Sequence, residues 1–439
     1  MSDNKLITPR KLAGFWELSP EKQIIFEQMQ EKIKKVFQRN CYLPLDTPVL
    51  ELSEILLAKS GGEMDKEVYA FTKGDTSMCM RYDLTVPLAR FVASNANNLS
   101  FPFKRYQIGK NYRGERPQKG RLREFYQCDA DIIGDGELSL IADAECVKLY
   151  LECFEELGYK AIVEISNRNL LFGLIEDLGN TELANQIIVL LDKMDKIGKE
   201  KLKLSLLDLG ISSENTDKYI SAVEIQGKWS EIQDKLTSLS NNETFKKALS
   251  ELEEVESYLD AFGCNKNVYK YNLGIIRGHN YYTGTVFEVY LKDHRNDFPA
   301  LGGGGRYENL AGYFTDKKLP GVGMSIGLSR LFDLFDNAGL LPEVKKSNID
   351  LFIIPLGDYN KNCIQLCSFF RNNHIKAEVA YDNKSFKNKM KEANKREIPY
   401  ILIVGENEVN TGLYALKNMT TGEQFNLSKE DCLKKLKQN

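Results

Sequence analysis

With 439 residues, 42% of them hydrophobic, and a net charge of −3, the chain is long enough for two or three domains with real cores. It is neither a disordered polyanion nor a uniformly basic coat for nucleic acid, but its charge is uneven. Residues 341–439 carry 16 Lys and Arg against 12 Asp and Glu, so any extended contact with a polyanion is expected there. The nine cysteines form neither a CxxC pair nor a cysteine–histidine cluster of zinc spacing. The opening MSDNKLITPRKL lacks an apolar signal core, and no run of about 18 apolar residues exists to span a bilayer. A soluble cytoplasmic protein with reduced thiols is expected.

Taken in order, Ser19 or Pro20 opens an amphipathic helix to about Arg39, with Ile24, Phe26, Met29, Ile33 and Phe37 at helical spacing. Residues 41–52, with Pro44 and Pro48, read as one extended strand at an edge or bulge, where proline is tolerated. Residues 61–67 (GGEMDKE) read as a loop, and 68–71 with 78–81 as a strand pair around a turn at 73–76. In 81–95 (RYDLTVPLARFVASN), Asp83 and Thr85 lie two apart on one side of an extended segment. They either accept jointly from an ammonium group or cap the helix that begins near Pro87.

Residues 101–134 hold the densest mixture of arginines, acids and amides among strand-forming aromatics. The stretch reads as an antiparallel hairpin with limbs 104–113 and 122–133 and Gly114, Pro117 and Gly120 in the loop. Alternation then gathers Arg113, Glu115, Arg121, Phe125, Gln127 and Asp131 on one wall. Arginine suits phosphate through its planar fork, Phe125 offers a face to a purine, and Gln127 and Asp131 remain as acceptors. The pattern points to a nucleotide site; the alternative is an edge hairpin with solvated charges.

Beyond it come a helix at 139–157, a strand at 161–166 and a charged helical insert from 167 to about 266. Residues 273–290 and 302–307 return to strands broken by glycine. The run Gly302–Gly305 is neither a GxGxxG fingerprint nor a Walker loop, and a backbone without Cβ atoms suits a floor that a ligand approaches closely. A small-residue strand from Gly321 runs into a helix near Leu328, with Arg330 in its first turn. After the polar linker 343–348, strands at 350–355, 376–380 and 400–404 alternate with helices at 360–372 and 385–395. A hairpin at 414–425 and a closing helix follow, so a compact α/β module with a mainly parallel sheet is expected. Its basic helix groups Lys384, Lys387, Lys389, Lys391, Lys395 and Arg396.

RGERPQKGR (113–121), YYTGTVFE (281–288) and GGGGRY (302–307) together resemble class II aminoacyl-tRNA synthetases, specifically the histidyl-tRNA synthetase family, and the likeness runs along nearly the whole chain. HIGH and KMSKS, the marks of the other class, are absent from the sequence. The resemblance implies an α/β (α+β) architecture: an antiparallel catalytic sheet flanked by helices, in two parts (1–166 and 269–342). A helical insertion (167–268) would reach the acceptor arm of tRNA, and a C-terminal α/β domain (349–439) would bind the anticodon. It implies a homodimer through the first helix and strand, and two steps: L-histidine attacks ATP, supplied with Mg2+, to give histidyl-adenylate, and the histidine passes to the 3′ end of tRNA(His).

Carried over residue by residue, the resemblance puts Arg113 on the α-phosphate, Glu115 and Phe125 on adenine, and Arg121 and Arg330 among the ATP ligands. Asp83, Leu84, Thr85 and Gln127 would surround the polar end of the amino acid. Asp131 and Tyr282 would hold the imidazole, with Tyr281 and Tyr307 completing the wall. Arg116 and Gln118 would face the tRNA acceptor end. Arg277 would reach the α-phosphate and the substrate carboxylate, taking over part of a metal ion's work, with no dedicated metal site on the protein. The chain departs from the family pattern at His279 and Asn280, at Ser329 and in the opening Pro9–Phe15. Three rivals remain: a catalytically inactive paralogue serving as a regulatory histidine-binding subunit, a sensor domain of a kinase, and a synthetase for another amino acid. The first typically lacks the C-terminal domain and degrades the signature loops kept here, and the second would need a kinase Gly-rich loop and HRD element absent from this sequence.

Overall fold

The computed structural model describes residues 7–57, 67–276, 281–343, 348–382 and 384–438. The expected loop at 61–67 apart from Glu67, the segment Arg277, Gly278, His279 and Asn280, and most of the linker 343–348 lie outside the described residues. By contacts the chain divides into two compact units, Met1–Glu17 with Phe26–Leu341 and Leu18–Ile25 with Pro342–Asn439.

The first unit carries twelve described strands: β1 (Leu43–Pro44), β2 (Leu50–Leu52), β3 (Ala70–Lys73), β4 (Thr76–Met80), β5 (Phe103–Tyr112), β6 (Glu124–Ile133), β7 (Ala161–Asn167), β8 (Gln226–Gly227), β9 (Tyr269–Asn272), β10 (Thr285–Leu291), β11 (Gly302–Tyr307) and β12 (Gly321–Ile326). β2, β4 and β3 form a small antiparallel sheet. The other nine form one sheet in the order β1-β5-β6-β12-β11-β10-β7-β9-β8. Only β1/β5 and β7/β9 pair in parallel. The crossover from β6 to β12 brings the arginine-rich hairpin beside the glycine strands, with Asp131 opposite Gly323, Asp129 opposite Ser325 and Phe287 opposite Gly304.

Residues 41–52, expected as one strand, divide into β1 and β2 in two different sheets. The break falls at residues 45–49, where Pro48 cannot donate to a ladder and the Arg81 side chain holds the backbone carbonyl of Thr47 at 2.5 Å. The first helix runs Pro20–Arg39, over the range its periodicity predicts. The helix Thr85–Asn95 starts slightly earlier than expected, with Pro87 inside its first turn, where a missing N–H costs nothing.

Helix Ile141–Leu157 lays Cys146, Val147, Tyr150 and Phe154 into the core. The Tyr150 hydroxyl donates to the carbonyl of Ser325 and accepts from its N–H, both at 3.1 Å. The same helix meets β11 through the buried pair Asp143–Arg306, whose guanidinium also donates to the carbonyls of Leu138 and Ser139, each at 3.0 Å. A buried charge with this many partners fixes one register of strand on helix.

The insert is helical as expected, from Arg168–Asp177 to Glu243–Ala261. It also supplies β8, the edge strand of the large sheet. A Cβ on Gly173 would sit 2.5 Å from the backbone nitrogen of Phe245, which shows how closely those two helices approach.

The second unit holds β13 (Leu351–Pro355), β14 (Ala377–Val379), β15 (Tyr400–Val404), β16 (Tyr414–Asn418) and β17 (Gln424–Leu427) in the order β14-β13-β15-β16-β17. The first three are parallel and the last two add antiparallel, so the sheet is mixed rather than mainly parallel. A short hairpin can only return antiparallel. Leu351, Ile353 and Leu402 pack on one face and Phe352, Ile354 and Ile401 on the other, giving the unit two apolar cores of its own.

Candidate active site

One cavity of about 400 Å³ collects most of the sequence-predicted residues. At one end three guanidinium groups converge. Arg113, just past β5, donates from Nε to the carbonyl of Tyr82 at 3.1 Å and lies 5.1 Å from the centre of the Phe125 ring. Arg121 donates to Glu115 at 3.1 Å. Arg330, in the first turn of helix Leu328–Ala338, donates to the carbonyls of Gly120 at 3.0 Å and Ala300 at 3.1 Å. Burial first, and then the like charges of Arg121 and Arg113, pull the Arg330 guanidinium below its ordinary range. Gathering three cations around one partly buried guanidinium is unfavourable unless an anion joins them.

The same cavity also holds buried carboxylates. Asp83 Oδ1 accepts from the N–H groups of Thr85 at 3.2 Å and Val86 at 3.0 Å, so it does cap the helix. Its Oδ2 is buried with no hydrogen-bond partner among the described residues and so remains for a donor. Burial pushes the Asp83 carboxyl up to about 6, against the pull of the two backbone N–H groups and Arg113. Asp129, also on the cavity wall, has a buried Oδ1 in the same condition, and its carboxyl is pushed up to about 7, chiefly by burial.

The floor is Gly302–Gly304. A Cβ on Gly302 would lie 2.3 Å from the carbonyl oxygen of Ser325, and one on Gly304 2.2 Å from that of Gly323; strand packing alone therefore requires both glycines. A Cβ on Gly303 would meet nothing nearer than 3.5 Å, so packing leaves its bareness unexplained. Gln127 is held between Asn111 at 2.7 Å and the Ser325 hydroxyl at 2.6 Å. Ser329, one of the departures from the family pattern, accepts from the N–H of Tyr126 at 2.8 Å and ties the helix carrying Arg330 to β6.

The cavity thus brings together Asp83, Thr85, Arg113, Glu115, Arg121, Phe125, Gln127, Tyr281, Tyr282 and Arg330. Leu84 is buried, and its carbonyl accepts from Arg105 at 3.1 Å. Asp131 and Tyr307, expected on the wall, do not reach the lining. Asp131 lies across Gly323, whose missing Cβ leaves it room, 2.7 Å from Arg105 and accepting from the Tyr307 hydroxyl at 3.0 Å. Gln118 lines an adjoining cavity of about 850 Å³, which shares Arg121, Glu288, Ala300 and Arg330 with the first and takes Asp192, Glu224 and Gln226 from the insert. Arg116 is exposed on the loop, and Arg277 lies outside the described residues. Sequence reasoning missed Asp129, although the strand alternation that selected Gln127 and Asp131 passes through it.

Against known proteins, the histidyl-tRNA synthetase family profile matches residues 14–331, and an anticodon-binding domain profile matches 350–439. The chain belongs to the histidyl-tRNA synthetase family. It is 42% identical to a histidine–tRNA ligase of Clostridium tetani, over 98% of this chain and 99% of that one. A histidyl-tRNA synthetase structure from Nostoc superposes with a TM-score of 0.89 at 31% identity, covering 99% of this chain and all of the other. A Bacillus halodurans structure, titled as an ATP phosphoribosyltransferase regulatory subunit/histidyl-tRNA synthetase, shares the fold at a TM-score of 0.76 and 20% identity, over 91% of this chain and 99% of that one.

Proposed function

We propose that the chain is a histidine–tRNA ligase, which activates L-histidine with ATP and transfers it to the 3′ end of tRNA(His). The observation that carries this reading is a cavity that gathers three arginines with Asp83 and Asp129, each of which has one buried carboxylate oxygen without a hydrogen-bond partner among the described residues. Histidyl-adenylate has groups for both: a nucleotide phosphate for the arginines, an ammonium and an imidazole for the carboxylates.

In the first step the histidine carboxylate attacks the α-phosphorus, and negative charge builds on the equatorial oxygens, so fixed cations stabilise the transition state more than a covalent partner would. Arg113 serves the α-phosphate, Phe125 and Glu115 the adenine, and Arg121 and Arg330 the remaining phosphates. Asp83 Oδ2 with Thr85 and Gln127 holds the ammonium, which fixes the carboxylate for in-line attack. By its match to the family, Arg277 bridges the α-phosphate and the carboxylate. Tyr281 and Tyr282 shape the amino-acid end.

Among the described residues no group of three or more His, Cys, Asp or Glu side chains could hold a metal. Mg2+ would enter on the phosphates of ATP, where it would supply charge neutralisation. The adjoining cavity, reached by Gln118 and open toward the insert, suits the 3′ end of the tRNA, with exposed Arg116 beside its path. A homodimer is supported by exposed apolar side chains on and beside the first strands: Leu43, Val49, Leu50, Leu52 and Phe71. The reaction belongs in the cytoplasm with its tRNA, and among the described residues no helix is long and apolar enough to cross a membrane.

The test is pyrophosphate exchange across a panel of amino acids. Exchange that depends on histidine alone is expected; exchange with another amino acid, or with none, overturns the assignment and in the latter case favours a regulatory histidine-binding subunit.

A further inference from the structure

The insert begins where β7 ends. Asn167, the last residue of β7 and only 1% exposed, stands opposite Thr285 in the ladder. Its Oδ1 caps the helix Arg168–Asp177 by accepting from the N–H of Asn169 at 3.0 Å. Its Nδ2 donates to Glu251, on the insert helix Glu243–Ala261, at 2.8 Å. One buried side chain thus fixes the first turn of the insert against both the sheet and another insert helix.

That first turn grips the chain leading into β10. Three successive carbonyls accept from it: Tyr282 from the Arg168 guanidinium at 3.1 Å, Thr283 from the Asn169 side-chain amide at 2.9 Å, and Gly284 from the Arg168 backbone N–H at 3.0 Å. On its other side the N–H of Thr283 donates to the carbonyl of Arg306 at 2.8 Å. Tyr281 and Tyr282, at the start of this stretch, line the active-site cavity with their ring centres 4.9 Å apart. A Cβ on Gly305 would lie 3.0 Å from the Tyr282 ring, so that ring lies close against β11. Upstream, Ile275 and Ile276 share an apolar cavity with Leu170, Phe172 and Phe245 of the insert. Burial pulls the Arg168 guanidinium below its ordinary range. A neutral side chain would fill the space at less cost, so the bond to the Tyr282 carbonyl is what the arginine adds.

Resting on the reading of the site given above, we propose that Arg168 and Asn169 are positioning residues for histidine, which fix the backbone of Tyr282 and Thr283 and so set where the tyrosine wall stands. Neither is in the cavity lining among the described residues, so both act through the tyrosines. The residues assigned to ATP, Arg113, Glu115, Arg121, Phe125 and Arg330, lie on other elements, and the effect is therefore confined to the amino acid. A shift of the insert's first turn is then felt as a change in histidine affinity, because the two share one set of hydrogen bonds.

The experiment measures ATP–pyrophosphate exchange and melting temperature for the full-length wild type, Arg168→Met, Arg168→Lys and Asn169→Ala. Arg168→Met keeps an apolar stem without a donor. It should raise the KM for histidine about tenfold, as loss of a hydrogen bond from a charged group does, while the KM for ATP and the turnover stay near wild type. Arg168→Lys keeps a donor and should recover most of the loss. Asn169→Ala should raise the same KM about threefold, and it carries the test if the methionine variant does not fold. A merely structural arginine would instead lower the melting temperature and turnover, with no split between the two KM values. The inference is overturned if these variants keep the wild-type KM for histidine, if both KM values rise together, or if lysine rescues nothing. Absence of histidine-dependent exchange in the wild type would overturn the functional reading itself, whereas normal exchange in wild type and variants alike would overturn this inference alone.

Discussion

Among the described residues, Asp83 Oδ2 and Asp129 Oδ1 are buried with neither a hydrogen bond nor an ion pair, and Asp131 Oδ2 has only its ion pair with Arg105; such oxygens are a stability cost that a ligand or a bound proton relieves. For Asp129 the cost has a pH signature. Its folded-state value of about 7 lies above the ordinary carboxylate value of about 3.9, so the folded protein retains a proton that the unfolded chain releases between those two limits. Stability is therefore lost as pH rises through that window, and the loss is complete above 7. Asp83, Asp131, Arg105, Ser325 and Tyr282 face the same group and are unchanged in an Asp129→Asn variant. The substitution should make the ligand-free protein more heat-stable at pH 8, with a gain that shrinks toward pH 5 in thermal-shift assays. A variant less stable than wild type at pH 8 would mean that the carboxylate makes a structural bond. Arg277, between Ile276 and Gly278, is proposed to bridge the α-phosphate and the substrate carboxylate. Arg277→Ala should slow single-turnover adenylate formation about a hundred- to a thousandfold, as loss of one preorganised donor does, and Arg277→Lys should recover little, since a point charge cannot bridge two oxyanions. Near-normal turnover in the alanine variant would end its catalytic assignment. The arginine end of the cavity was legible in the sequence because strand alternation is a local rule. The partners that hold Asp131 were not, because Arg105 across the ladder and the missing Cβ at Gly323 are residues that no local pattern connects to it.

The glycine run shows at the level of one strand how packing and function divide a motif that looks uniform in sequence. All three line the cavity, but Gly302 and Gly304 press on backbone carbonyls of the neighbouring strand, whereas a methyl group on Gly303 would make only ordinary contacts. Gly304→Ala should therefore destabilise the fold, by about 1–3 kcal/mol if neighbours shift to admit the methyl group. Gly303→Ala should fold with a wild-type melting temperature and lose affinity for ATP or histidine instead. Equal destabilisation by both substitutions would make the whole run structural and remove the argument for a ligand floor. Strands and helices with strong periodicity were read well, as with Pro20–Arg39 and Asn360–Asn372. Residues 41–52 were not, because apolar character continues through Pro48 while the hydrogen-bonding partner changes from β5 to β4, and partner identity is not written locally. The edge strand β8 was missed for a related reason: two residues carry no period.

For the molecule as a whole, the apolar surface and the charge distribution predict different things. Leu43 is 59% exposed, and Leu50, Leu52 and Phe71, in the small sheet, each 44–45%, apolar surface that a second copy of the chain would cover. Light scattering at low micromolar concentration should give twice the 50.1 kDa chain mass, and Phe71→Asp should shift the population toward monomer. A wild-type mass equal to one chain would remove the dimer proposal. The basic surplus instead lies in 341–439, and the unit that holds most of it has two apolar cores of its own. Among the described residues, the lining of the cavity described above lies wholly between Asp83 and Arg330. Chemistry on histidine and ATP therefore needs only the first unit, whereas tRNA is a polyanion whose binding draws on basic side chains wherever they lie. Deleting residues 349–439 should leave histidine-dependent pyrophosphate exchange within a few-fold of wild type. Charging of tRNA(His) should fall by about two orders of magnitude or more, as expected from losing several phosphate contacts, and the residual charging should depend less steeply on salt. If exchange and charging collapsed together, the C-terminal unit would be a support for the catalytic fold, and the division of labour argued from charge would be wrong.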